Sequence, residues 1–293
     1  MKIRKNFLPK RIVDWLCFLL IGVFLPIVFI FEIIVVLPAF HEPGSFWHTF
    51  TFVMACFLIF NITGNFMACL MIDTSVDFET IRPPPNAEEL GWWFCKKCDR
   101  TAPPRSWHCK VCKCCILKRD HHCLFVGYCI GHRNHRYFMM FVVFLFIGAT
   151  YAFVYNSLYL WVVKARIYRN LLSFLKMTCP MLMVVSGPLW QNMFLIFYNL
   201  NILAFVYSVV LMWYHGSGLF EGGVCYEKSK KFPYGKANWR DNLRTVFGKQ
   251  MHLVWLSPLL KSELPENGID WHLTDKSVKK PVKLLCKQDI KEK

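Results

Sequence analysis

The sequence predicts an α-helical polytopic membrane protein, with four transmembrane helices and a cysteine-rich domain between the second and third. Three observations lead there. The chain is 55% hydrophobic with 27 Phe in 293 residues, more apolar than a single soluble core requires. Its apolar residues gather into long runs free of Lys and Arg. Eight of its 14 Cys fall in one short stretch, Cys95 to Cys129.

Val13 to Leu37 and Phe50 to Ile72 each hold the roughly 20 apolar residues that cross a hydrocarbon core of about 30 Å. Phe138 to Val163 and Asn192 to Tyr214 supply the third and fourth spans. The apolar Leu171 to Trp190 is assigned outside the bilayer core, as an interfacial or re-entrant piece of a luminal loop covering 164–191. Along the chain, Lys and Arg number 5 before the first span, 0 in the first loop, 11 between Asp73 and Tyr137, 4 in the third loop and 15 after Tyr214. The positive-inside rule therefore puts the segment 1–12, the cysteine-rich segment 73–137 and the tail 215–293 in the cytosol. Four spans satisfy that parity and five do not. The net charge of +16 is accounted for by this flanking distribution, so nucleic acid is not expected as a partner.

The basic start KIRKNFLPKR precedes an apolar run longer than the roughly 7–15 residues of a signal-peptide core, and no small-residue cleavage site follows. It reads as a retained signal anchor. Asn61-Ile62-Thr63 matches a glycosylation acceptor but lies inside the second span, out of reach of the modifying enzyme.

In a reducing cytosol, such a density of Cys with His108, His121 and His122 argues for metal rather than disulfides. Cys95, Cys98, His108 and Cys115 read C-x2-C-x9-H-x6-C. Cys109, Cys112, His122 and Cys129 repeat the pattern shifted by 14 residues, so the two sets interleave. Four thiolate or imidazole ligands close a tetrahedral structural Zn²⁺ site, and two such sites consume eight side chains. The register selects Cys115 over Cys114 and His122 over His121. A third unit beginning at Cys123 would need Cys at 126 and His at 136, where Val126 and Arg136 stand. Cys123 is thus a thiol that the metal scaffold positions and does not consume, beside an unused imidazole and Asp120. Cys114 reads as a small apolar filler. A thiolate is the reactive form of cysteine, and neutral His121 held by Asp120 would generate it, so the spacing points to nucleophilic catalysis.

The segment from Cys95 to Cys129, centred on Asp120-His121-His122-Cys123 with Asn134 and Phe138 after it, resembles the DHHC cysteine-rich-domain protein S-acyltransferases, the palmitoyltransferases. The four spans around it are similar to the same family. The segments NLRTVFGKQMHLVWLSP and LPENGI look closest to the subgroup called palmitoyltransferase 24. The resemblance implies that Cys123 attacks the thioester of a long-chain acyl-CoA such as palmitoyl-CoA, becomes acylated and passes the acyl group to a substrate protein's cysteine. It implies that His121 is the base, that Asp120 orients it, and that two Zn²⁺ are structural only. It also implies support from Asn134, Glu227 and Asn242, an acyl cavity reached by Phe125, and an endomembrane, Golgi or endoplasmic reticulum, with the catalytic domain cytosolic.

The sequence leaves the family pattern in places. Leu124, Phe125 and Tyr128 replace a usual Pro, Trp and Asn, and Asp73-Thr74-Ser75 keeps only the aspartate of Asp-Pro-Gly. The family's Thr-Thr-x-Glu aligns with Val224-Cys225-Tyr226-Glu227, which keeps the carboxylate and lacks both hydroxyls. A catalytically weak zinc-scaffold adaptor of the same fold is therefore the alternative function.

Other residues have plainer expectations. Leu243, Val246, Phe247, Met251, Val254 and Trp255 follow near-helical spacing and predict an amphipathic helix, on the membrane or against the cytosolic domain. Glu32 reads as interfacial or capping, and Asn61, Asn65, Asn199 and Asn201 as hydrogen-bonding between helices. His132 and His135 read as surface or headgroup contacts. Lys96, Lys97, Arg100, Arg105 and Lys118 are either a phosphate-attracting set or a solvated surface, and Cys225 and Cys286 are cytosolic thiols without special neighbours.

Overall fold

The structure is a computed structural model and describes residues 2–228 and 235–271. Cys286 and the rest of the tail beyond 271 lie outside the described residues. Among the described residues, four helices are long and apolar enough to cross a membrane: α1 (Ile12–Phe40), α2 (Phe46–Met71), α3 (His135–Val163) and α4 (Leu189–Glu221). The chain belongs to the integral, multi-pass class. Between α3 and α4, Leu171–Thr178 and Leu182–Val185 are helices of 8 and 4 residues, too short to cross.

In α1, Leu20–Phe24 and Glu32–Val36 are π-helical turns, and each leads into a helical piece with a proline at its start, Pro26 and Pro38. A proline ring clashes with the carbonyl four residues earlier, here that of Gly22 or Ile34, and a widened turn relieves the clash without breaking the helix.

The chain divides into two compact units, one made from Leu19–Thr63 and Phe141–Trp213, the other from the described residues of Met1–Phe18, Gly64–Met140 and Tyr214–Lys293. The first is the apolar bundle. Val36, Tyr159, Leu160, Tyr168, Met183, Leu195 and Tyr198 form its core. Several of its polar side chains find partners within it: Asn156 donates to Glu32, Ser157 and Trp161 bond the Tyr198 hydroxyl at 2.9 and 3.3 Å, and Lys176 donates to Asn192 at 2.8 Å. Glu32 is therefore an interhelical acceptor rather than a cap. Asn199 donates to the Met177 carbonyl, and the Asn61 amide bonds back to Phe57 in its own helix.

The second unit holds three antiparallel hairpins of three-residue strands: β1 (Trp93–Cys95) with β2 (Arg100–Ala102), β3 (Trp107–Cys109) with β4 (Cys114–Ile116), and β5 (His121–Cys123) with β6 (Tyr128–Ile130). Their registers are the same after a shift of 14 residues: Cys95 faces Arg100, Cys109 faces Cys114, and Cys123 faces Tyr128. The sequence repeat is a repeat of hairpins. Each turns through a left-handed residue at the same place, Asp99 (φ 52°), Lys113 (φ 58°) and Gly127 (φ 72°). The third hairpin thus keeps the backbone of the repeat although Val126 has replaced its second thiol.

The C-terminal helix α5 (Trp239–Phe247) begins at Asn238, whose side chain accepts from Arg240 N–H at 3.0 Å. It is shorter than the spacing up to Trp255 predicts. Gly248 adopts φ 81°, and the Ser262 hydroxyl donates to Phe247 O at 2.7 Å and accepts from Gln250 N–H at 3.0 Å, so the helix ends are satisfied there and residues 249–256 follow in turns. Its buried residues, Asn242, Thr245, Val246 and Phe247, face protein, with Thr245 Oγ1 3.4 Å from Lys118 Nζ.

Gly131 follows β6 where the chain crosses the backbone of residue 117. A Cβ there would sit 2.5 Å from the Leu117 carbonyl oxygen and 3.0 Å from Thr74 Oγ1. The Gly131→Ala variant is expected to lose about 1–3 kcal/mol, read as a lowered thermal unfolding midpoint of the detergent-solubilised protein.

Candidate active site

The predicted ligands assemble across the hairpins. Cys95 and Cys98 of the first meet His108 and Cys115 of the second, and Cys109 and Cys112 of the second meet His122 and Cys129 of the third; within each set the ligand atoms lie within 4.8 Å of one another. His108 presents Nδ1 3.3 Å from Cys98 Sγ, and His122 presents Nδ1 3.4 Å from Cys112 Sγ. Three sulfurs and one imidazole nitrogen, closed on themselves, suit a tetrahedral Zn²⁺ of the structural kind. The outer nitrogen of His122, Nε2, lies 3.4 Å from Asp14 Oδ2, and Arg11 holds that carboxylate through both oxygens at 3.1 and 2.9 Å. Such a carboxylate fixes the tautomer that leaves Nδ1 free for metal. Asp14 is fully buried, and sequence reasoning missed it because an acid at the start of an apolar run carries no spacing signal.

Cys123 occupies in the third hairpin the place of Cys95 and Cys109 in the first two, with no second thiol beside it. It is buried, within hydrogen-bonding reach of His121. His121 Nδ1 lies 2.7 Å from Asp120 Oδ2, and its ring packs edge-on against Phe138 with centroids 4.9 Å apart. Burial alone would lower the pKa of His121, but the Asp120 carboxylate and the Cys123 thiol overcome it and raise it to about 9. Burial likewise opposes ionisation of Asp120, and donors from His121 and His215 hold it well below the usual carboxylate range all the same. Cys114, by contrast, is pushed up to about 12 by burial and the neighbouring Cys112, which leaves it an inert thiol.

A family model for DHHC palmitoyltransferases matches residues 89–231. The chain is also similar to the probable palmitoyltransferase ZDHHC24 of Danio rerio, with 31% identity over 222 residues, 74% of each chain. The chain belongs to the DHHC palmitoyltransferase family.

The supporting residues expected of a DHHC palmitoyltransferase brace backbone around this cluster. Asn134 accepts from Gly131 N–H at 2.8 Å and donates to the Cys129 and Cys69 carbonyls at 3.1 and 3.4 Å, tying the last hairpin to the end of α2. Asn242 donates to the Phe220 carbonyl at 2.8 Å and pairs with the Lys236 backbone, fixing the chain that leaves α4. Glu227 is fully buried and receives both Nε and Nη2 of Arg105 at 2.6 Å. Arg105 and Lys118, read from sequence among surface cations, are buried, whereas Lys96, Lys97 and Arg100 are exposed. Burial and the adjacent Arg105 lower Lys118 to about 7. His132 and His135 are also buried rather than exposed, the first with Nε2 3.0 Å from the Glu266 carbonyl. Phe125 is half-buried in the turn between β5 and β6, next to exposed Leu124, and Tyr128 donates its hydroxyl to the Asn6 and Leu8 carbonyls.

His215 carries no signal in the sequence, and Cys225, read from sequence as a thiol without special neighbours, stands beside Asp120 with its Sγ 3.3 Å from His215 Nδ1. His215 Nδ1 lies 3.2 Å from Asp120 Oδ2, and the Cys225 backbone N–H donates to Asp120 Oδ1 at 2.7 Å.

Two predictions follow the geometry. Zinc should measure two per chain in the parent and in Cys123→Ser, and fall towards one in His122→Ala or Cys129→Ser; Asp14→Asn should weaken retention of the second ion against a chelator by about 10–100-fold. Glu227→Gln leaves Arg105 with an uncompensated buried charge and is expected to cost about 3–5 kcal/mol, seen as a loss of folded protein on size exclusion or a lowered thermal midpoint.

Proposed function

We propose that the chain is a protein-cysteine S-acyltransferase that works through an acyl-enzyme thioester on Cys123. The observation that carries this reading is the third hairpin. It has the backbone that carries a member of a metal-type set in the other two, yet among the described residues its thiol belongs to no such set and lies by an imidazole held by a buried carboxylate instead.

His121 takes the Cys123 proton, and its elevated pKa favours an imidazolium opposite a thiolate. The sulfur attacks the carbonyl carbon of a long-chain acyl-CoA, the C–S bond to CoA breaks, and the His121 imidazolium gives its proton to the leaving CoA sulfur, which makes it a base again. A substrate cysteine, deprotonated by His121, attacks the new thioester in turn and releases Cys123. Asp120 keeps the Nδ1–H tautomer and so leaves Nε2 as the nitrogen that exchanges protons with sulfur. The two zinc ions supply structure only, because each four-ligand set is closed. The distribution of basic residues supports a cytosolic placement of this domain, on a Golgi or endoplasmic reticulum membrane, where the acyl chain can remain among apolar side chains while CoA stays in water.

The test is autoacylation of the purified protein with labelled palmitoyl-CoA. The parent should take up hydroxylamine-sensitive label, Cys123→Ser should take up none, and His121→Ala should slow uptake by about 10²–10⁴-fold. A zinc-loaded, folded parent that takes up no label would overturn the enzyme reading in favour of a membrane adaptor.

A further inference from the structure

His215 is an unassigned histidine near the end of α4, 5–6% exposed by side chain or whole residue. Its Nδ1 lies 3.2 Å from Asp120 Oδ2, the oxygen that also bonds His121 Nδ1 at 2.7 Å. Its ring sits 4.9 Å from the His121 ring, tilted, and 4.8 Å from the Phe138 ring, edge-on, so the three rings pack together beside the carboxylate. Cys225 Sγ lies 3.3 Å from the same His215 nitrogen, while Cys225 N–H holds the other oxygen of Asp120. The carboxylate is gripped from three directions.

A lone Asp–His hydrogen bond leaves the carboxylate free to rotate about its Cα–Cβ and Cβ–Cγ bonds, and the imidazole would swing with it. Two more donors, one on each oxygen, remove that freedom. Because an ionised carboxylate only accepts, both imidazoles must present Nδ1–H to it, which fixes His121 with Nε2 as its available base. Val224 and Cys225, which align with two threonines of the family, bring no hydroxyl here, and a backbone amide and an imidazole meet the carboxylate.

We infer that His215 is a positioning residue of the acyl-transfer site: by donating to Asp120 it locks the carboxylate and, through it, the orientation of His121 toward Cys123. The inference rests on the S-acyltransferase reading for its consequence in turnover, and on geometry for its effect on the thiol.

Two substitutions separate hydrogen bonding from packing. His215→Phe keeps a ring against His121 and Phe138 and removes the donor. His215→Asn places an amide N–H where Nδ1–H was and gives up the ring. Two readouts are taken on full-length protein in detergent: the rate of acyl transfer to Cys123 over a range of palmitoyl-CoA concentrations, and the rate of iodoacetamide alkylation of the Cys123 peptide by mass spectrometry. His215→Phe should slow both by about 10–100-fold, the scale set by loss of alignment, with the half-saturating palmitoyl-CoA concentration and two zinc per chain retained. His215→Asn should recover most of both rates. A Phe variant as fast as the parent, or an Asn variant as slow as the Phe variant, overturns the inference. So does a third metal per chain that His215→Phe removes, since Asp120, His121 and His215 would then be ligands. Should either variant fail to retain zinc, the other decides alone by the rate given for it. A parent that takes up no acyl label while alkylation still responds to His215 sinks the acyltransferase reading and leaves the positioning role standing.

Discussion

The two Cys/His sets shared between successive hairpins are the constraint on which the cysteine-rich domain depends. Strands of three residues joined in pairs cannot hold their shape in water. Here the first and second hairpins each hand two cysteines forward to a histidine and a cysteine of the next, so that two closed four-residue sets, each able to hold a metal ion, link three hairpins in series. The first hairpin has Phe94 and Thr101 where the others have a His and a Cys, and it only gives. The third has Val126 where the others have a second Cys, and it only receives. Cys123 is what remains at the end of the series. His122 stands beside it and Cys129 next to its partner strand position, so the Cys123 sulfur is placed between two members of the second four-residue set.

The second layer of constraint is polar and buried. Arg105, brought into a left-handed conformation between the first and second hairpins, meets Glu227 through two short bonds and also donates to the Gly222 carbonyl at 3.0 Å. Buried ion pairs are weak evidence for net stability, because both charges lose water. Their geometric consequence is firmer: a bidentate pair has one good arrangement. It holds the chain after α4 against the hairpins, and that chain carries the Cys225 amide that reaches Asp120. Asn242 fixes the same segment from the other side through Phe220 and Lys236. The position of a carboxylate in one hairpin is thus governed by a salt bridge and an asparagine more than 100 residues further along.

What the sequence revealed and what it hid follow from this division. The two Cys/His sets were legible because a hairpin imposes its own spacing, and a repeat of 14 residues distinguishes His122 from His121 without any knowledge of their surroundings. The apolar runs were legible because a bilayer sets their length. His215 was not legible, since one histidine beside an apolar run has no local partner and its meaning comes from a contact across 95 positions. Asp14 failed in the same way: its partner His122 is far off in sequence. Arg105 and Lys118 were misplaced because a count of cations says nothing of which ones are buried. The C-terminal helix was overextended because hydrophobic spacing continues through turns, while a left-handed glycine and a serine hydroxyl decided its end.

The loss of the two threonines looks damaging only if the site is assumed to depend on side chains at those positions. Asp120 Oδ1 is held by the backbone N–H of Cys225, and a backbone donor is present whatever residue stands there, proline excepted. What the segment must supply is therefore a path for its main chain, which the Arg105–Glu227 pair and Asn242 provide. The other oxygen, Oδ2, is met by His215, on a helix end instead of on the segment itself. Retention of Glu227 alongside replacement of both hydroxyls is then consistent in physical terms: the carboxylate that sets the backbone is irreplaceable in place, and the donors it positions can come from elsewhere.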